Sequence, residues 1–269
     1  MTRQRLQLQD ADLALLADVL EADAAVLRTD LERRPWHACD VLRNPGVVAA
    51  VLHDDGERLV VSPALFFAIL VHHAADQLAT STWVDDWVGP GQRLPVFDVE
   101  PLLEFADAPG RLLFAARLLV GFAAPPDLPV PVDAGDLDEM VDWLDAVEPA
   151  DRVVLLRQLG DLALFRAGVF PDRNGPCAMS VAQAEHLGGS VGLSDDELDH
   201  LVDHLSASPG LDALEMLSSA WYRAAAEHSA TTPPLLRDVA NRIRAARRFL
   251  NYVADNHLHP TPRTWALGV

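Results

Sequence analysis

The sequence predicts an all-α fold: a multi-helix, bundle-like domain with one minor β-hairpin near residues 50–61. Three observations predict it. Half of the 269 residues are apolar, which is enough material for a sizeable core. Apolar residues recur at the three- and four-residue spacing of amphipathic helices in one segment after another. Helix-start signals precede several of these segments: Ser62 stands before Pro63, and Ser194 stands three residues before Glu197.

The predicted helices cover most of the chain. The first runs from Asp10 to about Arg34 with one apolar stripe. Residues 51–61, VLHDDGERLVV, have two short apolar arms around an Asp/Gly turn and predict the hairpin. Ser62 and Pro63 then start the most apolar helix, which we expect at the centre of the core. The other predicted helices cover residues 41–52, 98–106, 109–122, 136–147, 149–167, a short stretch before Gly188, 194–207, 210–229 and 233–253.

Two segments are rich in residues that break helices. Residues 83–96 contain Gly89, Pro90 and Gly91 and are predicted to form a loop. Residues 123–131, AAPPDLPVP, are the clearest candidate linker, because their prolines disfavour both helix and sheet interior. We expect residues 1–269 to form a single all-helical domain, with any sub-boundary at 123–131.

The charge of the chain excludes several classes of function. The sequence has 40 acidic residues against 21 basic ones, and every basic residue is arginine. The absence of lysine removes Schiff-base chemistry and a phosphate-loop lysine. The net charge of −19 disfavours binding to nucleic acids and anionic membranes, because phosphate groups would be repelled.

The sequence predicts a cytoplasmic protein. The amino terminus has no apolar run of the signal-peptide type, and no stretch of about 18 apolar residues occurs. Cys39 and Cys177 lie far apart and belong to no multi-cysteine pattern, which fits a reducing compartment. We therefore expect neither export nor a membrane span.

An acid stands inside an apolar helix in residues 159–172, LGDLALFRAGVFPD, which end in a Gly/Phe/Pro break. Asp161 falls on the inward side of this helix. A buried carboxylate must find hydrogen-bond donors or stay protonated. The residue is interpreted either as a tie between this helix and a neighbouring backbone or arginine, or as a catalytic group.

This segment resembles a motif of a broad family of uncharacterised bacterial helical proteins, in which Gly-Asp opens an apolar run closed by Gly-x-Phe-Pro. The matching residues are Leu159, Gly160, Asp161, Leu164, Phe165, Gly168, Phe170 and Pro171, and the run from Ser62 to Phe67 is similar to a second shared element. After Pro171 the chain departs from the tyrosine-rich pattern of that family, with only Trp221-Tyr222 further on. The resemblance implies a helical fold and no particular activity.

His72 and His73 lie on the predicted central helix, and Asp76 follows one turn later. An imidazole in an apolar helix is costly unless it has a partner. One interpretation is a neutral core histidine bonded to a carbonyl or to Asp76. The other is a pocket in which these three residues, with Asp85 and Asp86, act as metal ligands or as acid and base groups.

Two further patterns are weaker. His200 and His204 have the spacing of a helical metal site, but both fall opposite the apolar stripe of their helix, so we expect no metal there. Cys39 lies two residues from His37, as an activated thiol would, yet no second acyl-transfer element accompanies it. We expect an ordinary cysteine.

The last predicted helix carries positive charge on an acidic chain. Arg237, Arg244 and Arg248 share a face at seven- and four-residue spacing. They are interpreted as ion-pair partners of acids in the same or another copy, or as a docking site for an anion or a partner. Trp265, near the end of a tail with two prolines, is expected to insert into a groove on this subunit or another.

These observations favour a protein that acts through self-association or through binding a partner protein. They offer no specific signature of a nucleotide, metal or nucleophile site. The alternative is a helical enzyme or sensor with a metal or organic cofactor, which would use inward-facing residues such as His72, His73, Asp76 and Asp161.

Overall fold

The structure is a computed structural model that describes residues 8–34, 37–52, 61–123, 136–174, 179–207, 211–229 and 233–259. The predicted all-α fold is confirmed over these residues, which form fifteen α-helices and one two-stranded antiparallel hairpin. In chain order the elements are α1 (Asp10–Val19), α2 (Ala24–Arg33), α3 (His37–Leu42), α4 (Pro45–Leu52), α5 (Pro63–Leu78), β1 (Val84–Gly89), β2 (Gln92–Val96), α6 (Glu100–Ala106), α7 (Pro109–Ala123), α8 (Leu137–Asp142), α9 (Pro149–Val169), α10 (Pro171–Asn174), α11 (Val181–Gly189), α12 (Asp195–Ala207), α13 (Leu211–His228), α14 (Pro233–Asn241) and α15 (Ile243–Val253). A π-helical turn, Ala254–Leu258, continues α15. Among the described helices, none has the length and apolarity needed to cross a membrane.

The chain divides into two compact units. The α5 unit consists of Thr2–Ser81 and Ala106–Pro125, and the hairpin unit consists of Thr82–Phe105 and Pro126–Val269. The predicted linker at 123–131 lies almost wholly outside the described residues.

The α5 unit is built around the helix that the sequence places at its centre. Ser62 caps α5, because its Oγ accepts a hydrogen bond from the Leu65 amide at 3.1 Å, and Pro63 occupies the first helical position. The fully buried Asp12 of α1 accepts hydrogen bonds from the Ser62 amide at 2.8 Å and from the Ser62 hydroxyl at 2.7 Å. Asp12 therefore ties α1 to the start of α5, which packs against α3, α4 and α7.

The prediction of one continuous helix over 10–34 is wrong. The chain turns at Glu21, whose φ of 51° lies in the left-handed region and ends α1. Asp23 then caps α2, accepting hydrogen bonds from the amides of Ala25 and Val26.

In the hairpin unit, α9 packs closely against α13 and α15. A Cβ at Gly160 would lie 2.7 Å from Cε1 of Tyr222, and a Cβ at Gly168 would lie 2.7 Å from Cβ of Leu250. Only glycine permits these approaches. As the sequence predicts, α9 ends just before Phe170 and the following proline.

The hairpin that the structure describes lies at β1 and β2, where the sequence predicted a loop. Val84 pairs with Val96 and Trp87 pairs with Arg93 in antiparallel register, and Gly91 turns the chain with a φ of 67°. Gly89, Pro90 and Gly91 lie at the turn, whereas Pro95 lies within β2, where it pairs with Asp85. The hairpin predicted near 50–61 falls mainly on 53–60, outside the described residues, while residues 51–52 end α4.

Candidate functional site

His72 is a buried residue in the core of the α5 unit. Its Nδ1 lies 2.8 Å from the Ala68 carbonyl oxygen, so Nδ1 carries the proton and donates it. Nε2 is buried and has no hydrogen-bond partner among the described residues. Burial lowers the pKa of His72 below its ordinary value, which favours the neutral ring.

The other two candidates on α5 make separate contacts. His73 is half-buried, and its Nε2 lies 2.9 Å from Nε2 of Gln77. Asp76 is exposed, and its carboxylate lies 3.1 Å from Nε of Arg43. The three residues thus face different surroundings, although they share one helix.

Asp161 is buried on α9 and is engaged by α13. Its Oδ1 accepts a 2.8 Å hydrogen bond from the Tyr222 hydroxyl, and its Oδ2 lies 3.6 Å from Arg157. One turn away, the Ser218 hydroxyl donates to the Gly160 carbonyl at 2.9 Å. Burial raises the pKa of Asp161 above its ordinary value. These contacts join α9 to α13, which form the most extensive helix–helix packing among the described elements.

Arg237, Arg244 and Arg248 do not lie on one continuous helix. The helix predicted over 233–253 is interrupted at Arg242, so α14 and α15 are separate. Arg237 and Arg244 are exposed, whereas Arg248 is buried. Trp265 lies outside the described residues.

A set of buried charges beneath the hairpin brings together residues that the sequence analysis did not connect with one another. Arg247 of α15 donates a short hydrogen bond to Glu215 of α13 and a 2.6 Å hydrogen bond to Asn251. Its NH1 also lies 3.6 Å from Asp86 on β1. Burial raises the pKa of Glu215 against the opposing effect of Arg247. Nε of Arg248 lies 3.0 Å from the same Asp86 carboxylate.

A second set of charged residues anchors β2, the other strand of the hairpin. Arg93 of β2 donates hydrogen bonds to Asp255 at 2.7 Å and to Asp172 at 3.1 Å. Asp172 also accepts hydrogen bonds from Trp87 Nε1 at 2.7 Å and from the Gly91 amide at 2.8 Å. Burial alone would raise the pKa of Asp172, but the bonds from Arg93, Gly91 and Trp87 outweigh it and lower the pKa. We call Asp86, Arg93, Asp172, Glu215, Arg247, Arg248 and Asp255 the hairpin cluster.

The hairpin cluster fixes the backbone around an exposed aromatic residue. Phe97 follows β2 directly and is 74% exposed, the largest value among the large hydrophobic residues described. On one side, Val96 is paired with Val84 in the hairpin. On the other, the Asp98 carbonyl accepts a 3.3 Å hydrogen bond from Arg248, and the Phe97 carbonyl accepts one from the Val99 amide. No sequence pattern distinguishes this phenylalanine from those of the core.

Two other kinds of chemical site, a reactive thiol and a metal centre, find little support in the described residues. Burial raises the pKa of the Cys39 thiol, which disfavours the reactive thiolate. No group of three or more His, Cys, Asp or Glu side chains among the described residues has an arrangement that could hold a metal ion.

Comparison of the chain with protein-family models, with curated proteins and with solved structures gives no match. Its own geometry is therefore what bears on its function.

Proposed function

We propose that this protein acts by binding another protein molecule, with Phe97 as the central contact residue. The observation that carries the proposal is a 74% exposed phenylalanine on a backbone held from both sides. Burying such a side chain contributes about 1.5–3 kcal/mol. Because the backbone is already ordered, little conformational entropy is lost on binding. Aromatic side chains, phenylalanine among them, are enriched in protein interfaces relative to the rest of the protein surface.

The interior charges support the same proposal. Asp161 is bound by Tyr222, and Glu215 is bound by Arg247. Such pairs hold helices and strands in place, and Arg248, which pairs with Asp86, also donates a hydrogen bond to the Asp98 carbonyl next to Phe97. Contacts within the chain therefore already order the surface around Phe97, and binding does not have to supply that free energy.

Two variants test the proposal. Phe97→Ser removes the exposed aromatic ring, and Val154→Ser is the matched control, because Val154 is another exposed hydrophobic residue of the hairpin unit, at 47%. A photoreactive phenylalanine analogue placed at position 97 or 154 identifies the protein bound at each position in the producing cell. The identified protein is then purified and its Kd measured against both serine variants.

The expected result is a discrete cross-linked product from position 97 and none from position 154, with Kd raised at least tenfold by Phe97→Ser alone. The proposal is refuted if position 97 gives no product. It is equally refuted if the two serine variants bind with the same Kd.

A further inference from the structure

An open groove runs along α2 in the α5 unit. It has a volume of about 540 Å³ and is lined by Ala25, Val26, Thr29, Asp30, Arg33 and Arg34. Val26 is 66% exposed, and only Leu27 of this helix is buried. The groove therefore offers apolar surface that the described part of the chain leaves uncovered.

The end of the groove is basic, on a chain whose net charge is −19. Arg33 is exposed and makes no ion pair with any described residue. Arg34 binds Asp30, which also contacts Nδ1 of His37 at 2.7 Å. The one acid of the groove is thus already engaged, and the Arg33 guanidinium is available to an external carboxylate.

The residues next to Phe97 are acidic, whereas the end of the α2 groove is basic. Asp98 follows it directly and Glu100 lies three residues on, and both side chains are exposed. Neither carboxylate makes an ion pair with a described residue. An apolar ring next to two available acids is complementary to an apolar groove with an available arginine.

We infer that the molecule bound by Phe97 is a second copy of this chain, whose α2 groove receives the ring while Arg33 faces Asp98 and Glu100. The inference rests on the proposed function, since it names the partner of the same residue. Because two different surfaces meet, the contact is heterologous, and each copy carries one ring and one groove. Two chains that each carry −19 repel one another, so the local pairing of unlike charges determines where they meet.

Mixing two defective variants tests this geometry. Phe97→Ser lacks the ring but keeps the groove, and Val26→Glu keeps the ring but places an acid in the groove. A glutamate in the first turn of a helix is favourable, so α2 should still fold, as circular dichroism will check. Val154→Glu is the matched control, because it adds the same charge at another exposed helical valine.

Sedimentation over a range of concentrations gives the association constants. The wild-type chain and Val154→Glu should self-associate alike, and Phe97→Ser and Val26→Glu should each be at least tenfold weaker. An equimolar mixture of the two weakened variants should regain a 1:1 complex, because one intact ring then meets one intact groove. A mixture that stays monomeric refutes the inference.

The experiments distinguish failure of this inference from failure of the proposed function. If the wild-type chain is monomeric while position 97 cross-links a different protein, the second copy is refuted and the role of Phe97 stands. If Phe97→Ser weakens self-association and Val26→Glu does not, the α2 groove is refuted and the role of Phe97 again stands. If Phe97→Ser changes neither self-association nor any other binding, both are refuted.

Discussion

Replacing Gly160 by alanine tests the packing of the motif segment directly. The new methyl carbon would lie 2.7 Å from Cε1 and 2.8 Å from Cδ1 of Tyr222. Tyr222 is fully buried and is held by its hydrogen bond to Asp161, so the ring can give way only by weakening that bond or by moving α13.

The size of the effect follows from three contributions. Overpacking a well-packed core costs about 1–3 kcal/mol. Weakening the Tyr222 hydrogen bond costs about 1 kcal/mol. Alanine in a helix is favoured over glycine by about 1 kcal/mol, which offsets part of the loss. We expect Gly160→Ala to lower the free energy of unfolding by about 2 kcal/mol.

Gly189→Ala is the control in the same unit, because a Cβ there would meet no atom of the described residues within 4 Å. It should leave the free energy of unfolding unchanged or raise it slightly. Urea denaturation followed by circular dichroism measures both variants, and hydrogen exchange in α9 and α13 locates the change. If Gly160→Ala is as stable as Gly189→Ala, the close approach of Tyr222 to α9 is refuted.

Two further predictions concern the buried charges. Arg247→Ala leaves the buried Glu215 without its cation and leaves Asp86 with Arg248 alone, and it should cost about 3–5 kcal/mol in denaturation experiments. Arg237→Ala, at an exposed position, should change the free energy of unfolding by no more than about 0.5 kcal/mol. Equal losses in the two variants would contradict the network. Asp161 has a raised pKa in the folded state, so the folded protein holds this proton more tightly and stability falls as pH rises from the ordinary value of 3.8 through the raised pKa. Asp161→Asn should remove that part of the slope in a pH series of unfolding free energies, and an unchanged slope would show that Asp161 does not titrate in this way.

Local signals predicted much of the helical fold. The cap at Ser62 and the box formed by Ser194 and Glu197 act within four residues of sequence, and both are present in the structure. A helix break that depends on a single backbone angle was not predicted from the sequence. Glu21 is the example, because nothing in its residue type requires a positive φ.

The candidate site was harder to predict than the fold. Asp86 and Arg247 meet only because β1 packs against α15, and they lie far apart in sequence. Helical spacing placed Arg248 on one face with Arg237 and Arg244, but tertiary packing buries Arg248 against Asp86 and leaves the other two exposed. Hydrophobicity alone also gives no warning that Phe97 is exposed while Phe105, eight residues on, is buried.

The span of the hairpin cluster along the chain has a consequence during synthesis. Trp87 and Asp172 are 85 residues apart, and Arg93 and Asp255 are 162 apart. A two-stranded hairpin by itself is only marginally stable. On the ribosome, β1 and β2 therefore emerge long before the groups that secure them. We therefore expect a nascent polypeptide to hold Phe97 in its final position only after translation has passed Asp255, so that the proposed binding through Phe97 must wait for the complete hairpin unit.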